Sequence, residues 1–357
     1  MSQKMKKRLL LSFICAVILF IFVISNDGDF SQIILPLMIS RNERDISCYI
    51  KTSDINGLQE FDASKDIERS NFGKNIFFHE TSCYGDEGLM LNGRQACAVE
   101  SAAKMNPNMS IYLLFMSPEK ISDSSKQIIR QLLSYKNIKI RRLYMNNYVK
   151  HTPLEEWFDS GILRTSHWPK SHMSDILRYL TLWKYGGIYL DLDVVVTTSL
   201  EKLKNFAGAE DWEDVAAGVI GFGMDTLGRR VADASVRDLK RNFKGNVWGN
   251  NGPGVITRIL QKLCDTKYAR DMIPIRCTGF KVFPPSAFYP IGFRNWTKYF
   301  ETVNMSETME IIKNSKAIHV WNKFSRERKI KVGDQVPYSI IAQKYCPKVY
   351  NNCGEFF

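Results

Sequence analysis

No two cysteines of the 357-residue chain stand in C-x-x-C spacing, which excludes the short knuckles that build zinc ribbons and fingers. A recognisable recognition helix and an RNA-stacking motif are also absent. The 49 Lys and Arg outnumber the 37 Asp and Glu, giving a net charge of +12, but they are spread along the chain, which argues against a nucleic-acid partner. Anionic small molecules and membrane surfaces are the expected beneficiaries of that charge. A small-x-small cleavage site is missing before Asn26, so the first apolar run is expected to stay attached rather than be removed. Disorder is excluded by a hydrophobic content of 45% and an aromatic content of 12%, enough for a substantial core.

At the N-terminus, Lys4, Lys6, Lys7 and Arg8 are followed by Leu9 to Ser25, a stretch without charge. As a helix it would span about 25 Å, close to the thinner membranes of the early secretory pathway, with the basic flank cytoplasmic. Residues 1–8 are thus expected as a cytoplasmic tail, 9–25 as a signal-anchor, 26–70 as a polar lumenal stem, and 71–357 as the catalytic domain. The sequons at Asn108, Asn295 and Asn304 agree with a lumenal, oxidising location. So do the seven cysteines outside the anchor, read as disulfide-forming. Proximity suggests Cys83 with Cys97, Cys264 with Cys277 and Cys346 with Cys353, leaving Cys48 in the stem.

The densest stretch is Ser174 to Val196, SDILRYLTLWKYGGIYLDLDVVV. Ile176, Leu177, Leu180 and Trp183 recur at helical spacing as one apolar stripe, while Asp175 and Arg178 share another face, one turn apart near the helix start. Gly186 and Gly187 end the helix, and Ile188 to Leu190 form a buried strand that delivers Asp191 and Asp193 to the end of a sheet. On an extended backbone two such carboxylates point the same way and repel unless a cation lies with them. Hard oxygen ligands suit Mg²⁺ or Mn²⁺, so the stretch reads as a metal clamp for a phosphate-bearing substrate.

Around it, strands are expected at 75–78, 111–115, 138–143, 215–219, 281–283 and 317–321, and helices at 92–106, 122–135, 229–243 and 254–264. The alternation implies an α/β architecture with a parallel sheet covered on both faces. His79 reads as a packed or solvated residue, and Trp157 and Trp168 as packed rather than sugar-stacking. Trp248 to Gly254, WGNNGPG, reads as a tight irregular loop that projects Asn250 and Asn251 into the cleft.

The pattern SDxLRY, a Gly-Gly pair, then IYLDLD resembles the sugar-binding DXD region of GT-A glycosyltransferases. It is most similar to the family of lactosylceramide 4-alpha-galactosyltransferase and alpha-1,4-N-acetylglucosaminyltransferase. IFFHETS, NNGPGVITRIL, FYPIGFRNWTKYF and AIHVWNK resemble further segments of that family. The resemblance implies the GT-A fold, a Rossmann-like mixed sheet flanked by helices. It implies a retaining hexosyltransferase that moves galactose or N-acetylgalactosamine from a UDP donor to the terminal sugar of a glycosphingolipid, in alpha-1,4 linkage. UDP-N-acetylglucosamine as donor and glycoprotein glycans as acceptors are the alternatives.

The residue roles implied by the resemblance are specific. Asp191, Asp193 and His319 would hold Mn²⁺, with Mg²⁺ as the alternative. Asp175 and Arg178 would bind the donor sugar, Tyr189 would lie beside the nucleoside, and Asn251 would stabilise front-face attack. Phe288, Tyr289, Phe293 and Trp296 are expected in the core rather than as an acceptor platform. The expected setting is a single-pass type II protein of the Golgi membrane, and a homo-oligomer is compatible with it. Two readings of other classes compete with it: a haloacid-dehalogenase-like phosphatase, which leaves Asp175 and Arg178 without a purpose, and an inactive membrane-tethered lectin.

Overall fold

Hydrophobic strands too continuous for a half-exposed sheet dominate the chain, and they assemble into one buried sheet. The computed structural model describes residues 46–49, 59–83, 88–116 and 120–357. The expected tail and anchor lie outside these residues; among the described residues no helix is long and apolar enough to cross a membrane.

The elements are β1 (Asn75–Glu80), α1 (Gly93–Met105), β2 (Ser110–Phe115), α2 (Asp123–Leu133), β3 (Ile138–Arg142), α3 (Pro169–Tyr185), β4 (Gly187–Leu190), β5 (Val194–Val196), β6 (Phe206–Ala209), β7 (Val215–Phe222), α4 (Thr226–Asn242), α5 (Pro253–Cys264), β8 (Lys281–Phe283), α6 (Met305–Ile312), β9 (Ala317–His319) and α7 (Pro337–Tyr345). Seven strands form one sheet in the order β3-β2-β1-β4-β7-β6-β8, and β5 pairs with β9 in a separate ribbon. β3, β2, β1 and β4 are parallel, as expected for strands joined through helices. β7 runs antiparallel to both β4 and β6, so the sheet is mixed rather than wholly parallel. The β6–β7 connection, Glu210 to Asp214, is a short hairpin-like turn, which permits only antiparallel pairing.

Alternation along the strands divides the core between the two faces. Ile76, Phe78, Ile111, Leu113, Ile188 and Leu190 pack on one side. Phe77, Tyr112, Leu114 and Tyr189 pack on the other, against α3 and α4. α1 opens with a capping box in which Asn92 accepts from Gln95 N–H and Gln95 returns the bond. Its expected apolar side, Ala96, Val99, Ala102 and Ala103, is fully buried. α3 begins at Pro169, earlier than the periodicity of the central stretch suggests, so Asp175 lies in its second turn. Trp183, at the end of the expected stripe, is half-buried under Arg229 instead of in the core.

Within the stretch read as stem, Cys48, Tyr49, Phe61 and Ile67 are buried. The disulfides join Cys48 to Cys83, Cys97 to Cys346 and Cys264 to Cys277, and among the described residues Cys353 is the free thiol. Only the Cys264–Cys277 expectation holds. The Cys83–Cys97 and Cys346–Cys353 pairs are corrected because α7 returns to pack along α1, bringing Cys346 to Cys97 from 249 residues away.

Candidate active site

β1 and β7 flank β4, with Phe77 opposite Tyr189 and Val219 opposite Leu190, so the end of β4 is fixed on both sides. Past Leu190 the backbone does not stay extended as expected. Val194 N–H donates to Asp191 O at 3.0 Å, closing a turn over residues 191–194, and Asp191 N–H donates to Gly218 O at 2.9 Å. The turn, rather than strand alternation, presents both carboxylates. β9 then places His319 opposite Val194. One ligand atom from each of Asp191, Asp193 and His319 lies within 4.8 Å of the others. His319 Nε2 stands 3.2 Å from Asp193 Oδ1 and 3.8 Å from Asp191 Oδ2.

Each carboxylate has its own holder. Asp191 Oδ1 accepts from the Tyr189 hydroxyl at 2.6 Å and lies 3.2 Å from Arg178 Nη1. Although burial opposes its ionisation, Arg178, His319 and Tyr189 prevail and hold the Asp191 carboxyl well below the usual range. Asp193 Oδ2 accepts from Asn322 N–H at 2.8 Å. Burial pushes its carboxyl up, outweighing the opposing pull of His319. His319 is disfavoured as a cation by burial, yet Asp193 and Asp191 overcome this and raise its pKa.

Asp175 and Arg178 meet as the helical spacing implies, at 3.0 Å. Arg178 also donates to Ala217 O at 2.9 Å and sits 4.6 Å over the Tyr189 ring, so it ties α3 to β4 and β7. Burial lifts Asp175 to about 7 against the opposing effect of Arg178. A Cβ at position 252 would stand 2.3 Å from Asp175 Oδ1, so the glycine there lets the 248–254 loop close over this carboxylate.

Tyr189 is 1% exposed, its ring packs between His79 and Arg178, and its hydroxyl donates to Asp191. Asn251 is wholly buried and its amide bonds the Lys244 backbone in both directions at 2.9 Å, which makes it a clamp of its loop rather than a group presented to the cleft. His79 is packed as expected, with Nε2 3.0 Å from Thr181 Oγ1, and burial lowers it to about 3. Trp168 is buried and Trp157 rests edge-on against Phe243. Phe288 and Tyr289 are core, whereas Phe293 is exposed.

Several contributors carried no recognisable signal in the sequence. Arg94, at the start of α1, donates from Nη1 to Ser325 O at 2.8 Å and from Nη2 to Asn322 Oδ1 at 2.6 Å. It thereby fixes the turn whose N–H holds Asp193. That turn starts at Trp321, whose φ of 56° is a strained choice for a tryptophan, of the kind that persists where the surroundings impose it. Glu210, at the end of β6, is half-buried and interacts electrostatically with His319 and Lys323; burial raises its pKa. Asn322 alone could have been found, since it lies within AIHVWNK.

The donor set fits a divalent cation. Two carboxylates and an imidazole suit Mn²⁺ or a similar ion. A Cβ at position 218 would lie 2.7 Å from Asp191 Oδ2 and 3.2 Å from the Tyr289 hydroxyl, so the glycine keeps this space open. The Tyr289 hydroxyl is buried there without a hydrogen-bond partner.

Comparison with known proteins agrees with this chemistry. The family model described as the glycosyltransferase sugar-binding region containing DXD motif matches residues 92–210, and that of the alpha 1,4-glycosyltransferase conserved region matches residues 224–353. The chain is 31% identical to the lactosylceramide 4-alpha-galactosyltransferase of Rattus norvegicus over 278 residues, covering 77% of this chain and 75% of that one. It is 27% identical to the alpha-1,4-N-acetylglucosaminyltransferase of Homo sapiens over 312 residues, covering 85% and 88%. Among solved structures, galactosyltransferase LgtC in complex with donor and acceptor sugar analogues is 13% identical with a TM-score of 0.36, covering 78% of this chain and 96% of that one, too slight a likeness to bear on the assignment. The sequence relatives and both family models place the chain among the glycosyltransferases, as a member of the alpha-1,4-glycosyltransferase family.

Proposed function

We propose that this glycosyltransferase moves a hexose, galactose or N-acetylgalactosamine, from a UDP donor to the terminal sugar of a glycosphingolipid, with retention and in alpha-1,4 linkage. The observation that carries the reading is the convergence of Asp191, Asp193 and His319 beside the buried Asp175–Arg178 pair. Those three residues would hold Mn²⁺, or Mg²⁺ in its place. A divalent ion bound there supplies Lewis-acid stabilisation of the departing diphosphate.

The chain's own groups do the positioning. Tyr189 and Arg178 keep Asp191 ionised and oriented, and the Asn322 amide does the same for the direction of Asp193. Asp175 and Arg178, one turn apart on a rigid helix, would fix the hydroxyls of the donor sugar. A double displacement requires a free carboxylate beside the anomeric carbon. Asp175 is buried against Arg178 and Gly252, so front-face attack, with the acceptor proton passing to the leaving phosphate, suits the site better.

A phosphatase would use one of the paired aspartates as a nucleophile and gives His319 no role. A lectin would not need the polar holders behind each carboxylate. The proposed setting is the Golgi lumen, behind an anchor at residues 9–25. Three disulfides and the exposure of Asn108, Asn295 and Asn304 support an oxidising, glycosylating compartment.

The test is a panel of UDP-sugars against glycolipid and glycoprotein acceptors, with and without Mn²⁺. Release of UDP that needs both the metal and a glycolipid, with galactose or N-acetylgalactosamine appearing on the product, is the expected result. Preference for UDP-N-acetylglucosamine or for a glycoprotein would shift the reading to the alternative donor or acceptor. Aspartyl-phosphate formation without an acceptor sugar would overturn it.

A further inference from the structure

A sugar is recognised by an aromatic face that takes its C–H patch and by a few polar groups that bond its hydroxyls. Around the mouth of the site most aromatic faces are already spent. Trp168 is buried, Trp157 rests edge-on against Phe243, and Phe293 and Phe324 stack on each other at 5.9 Å. Trp248 differs. It is half-buried, its plane stands at 86° to that of Trp168, and the ammonium of the exposed Lys323 sits over one of its faces, 3.8 Å from the ring centroid. A core tryptophan has carbon against its faces, whereas an indole face under an exposed lysine is one that solvent and ligands reach. Among the described residues Lys323 forms no ion pair, so nothing stronger than the ring holds its ammonium there.

The contact spans two walls of the site. Trp248 opens the loop whose Gly252 closes over Asp175, and Lys323 follows Asn322, whose N–H holds Asp193. Trp248 therefore stands between the wall that carries the Asp175–Arg178 pair and the wall that carries the metal ligands. Glu210 comes from a third side. β6 ends at Ala209 opposite Val215, and three residues later β7 reaches Gly218, whose carbonyl accepts from the Asp191 N–H. The Glu210 carboxylate interacts electrostatically with His319 and Lys323, yet among the described residues it makes no hydrogen bond or ion pair.

We infer that Trp248 and Glu210 form the subsite for the terminal sugar of the acceptor, and that this subsite selects a galactopyranose. The inference rests on the function proposed above and names the acceptor sugar that it leaves open. In a galactopyranose the 4-hydroxyl is axial, and the opposite face gathers the hydrogens on C3, C4 and C5 into an apolar patch. Laid on the indole, that patch turns the 4-hydroxyl away from the ring and into the cleft. In the gluco epimer the same hydroxyl is equatorial, so stacking points it along Trp248 instead. Glu210, with its hydrogen-bonding capacity unspent, accepts from a sugar hydroxyl, and the Lys323 ammonium exchanges the indole for a sugar oxygen as the acceptor arrives. A wholly apolar ligand would leave both charges without partners.

The experiment uses the full chain in detergent with UDP and Mg²⁺, and two probes that differ at a single centre, methyl β-galactopyranoside and methyl β-glucopyranoside. Saturation-transfer NMR should place the strongest saturation on the galactoside hydrogens at C3, C4 and C5, and much less on the glucoside. Trp248→Leu keeps apolar bulk without an aromatic face and should lose the galactoside signal, while Trp248→Phe should retain most of it. In turnover, Trp248→Leu is expected to raise KM for lactose about tenfold with kcat within about twofold, and Glu210→Gln to raise it by a smaller factor. Preference for lactose over cellobiose, its epimer at the terminal C4, should collapse in Trp248→Leu. Affinity of that variant for UDP with Mg²⁺ should stay within about twofold, which separates a lost subsite from a disordered loop. Equal saturation of the two epimers by the wild type, which needs no variant to read, overturns the inference. So does saturation that survives Trp248→Leu, or a loss of UDP affinity as large as the loss of galactoside. Should no UDP-sugar be transferred to lactose while saturation of the galactoside still depends on Trp248, the failure lies with the proposed function and not with the subsite.

Discussion

Asp191 is held by its own neighbourhood in the chain, through Tyr189 two residues before it and Arg178 on the helix that leads into β4. Asp193, two residues further on, is held from the far end of the molecule: His319 across the β5–β9 ribbon, Asn322 just beyond it, and Arg94 behind Asn322. One side of the clamp is thus assembled by local structure and the other by tertiary contacts. The local side needs only the α3–β4 unit to form, whereas the distant side forms only when α1, β9 and α7 have come together. The same division appears in protonation. The local contacts keep Asp191 ionised, while burial without a cationic side chain in direct contact, apart from His319, pushes Asp193 upward. The distant side is therefore where a cation has most to offer, and where damage remote from the site should be felt.

Removing a ligand should give the largest effect. Asp193→Ala is expected to lower transfer by about 10³-fold or more, the several kcal/mol that Lewis-acid stabilisation supplies, as read by UDP release. Next comes the disulfide that ties α1 to the end of α7. Cys97→Ser with Cys346→Ser should destabilise by about 2–4 kcal/mol, more than loss of Cys264–Cys277, because the loop closed is far longer. Thermal unfolding of the two variants checks the order, and an equal shift would contradict the ranking by loop length.

Arg94→Met should weaken Mn²⁺ affinity by about 10–100-fold, the usual effect of losing an outer-shell partner, with KM for the metal rising more than kcat falls. Arg94→Lys should recover only part, since an ammonium lacks the fork that reaches both Ser325 and Asn322. At neutral pH the smallest effect is on the local side, where His79 matters only as pH falls. His79 is buried neutral with its pKa lowered from 6.5 to about 3, so the folded state binds fewer protons than the unfolded state between these values. Its contribution is complete above pH 6.5 and is lost as pH falls toward 3, with a slope of up to about 1.4 kcal/mol per pH unit. His79→Gln should flatten the fall in stability between pH 6.5 and 4, measured by denaturant titration.

The local side was legible in the sequence and the distant side only in part, for a physical reason. Periodicity reports what a residue's immediate neighbours are doing, so β1, α1, β2, α2, β3, α3 and β4 lie where the pattern puts them, to within a turn or so. The Asp175–Arg178 pair follows from helical spacing alone. β6 escaped because FAGA is too short and too small to alternate, and with it went the position of Glu210; the mixed direction of the sheet followed from the family resemblance and not from the strand pattern. His319 was reached through the resemblance of AIHVWNK, not through its spacing. Arg94 had no local signature, since its partners are more than 200 residues away in the chain. Cysteine proximity worked for the 13-residue loop and failed where the chain returns on itself. The packing of Tyr189 and Asn251 was not legible, because orientation depends on which neighbour already covers the side chain.

The claim on which the rest depends is that Asp191, Asp193 and His319 share one divalent cation. Titration of Mn²⁺ into the full chain with UDP present, followed by electron paramagnetic resonance, measures this without turnover. Wild type should take up one ion, with affinity falling steeply in both Asp193→Asn and His319→Ala. Uptake unchanged in His319→Ala would show that the two walls do not meet on a common metal, and would contradict the account.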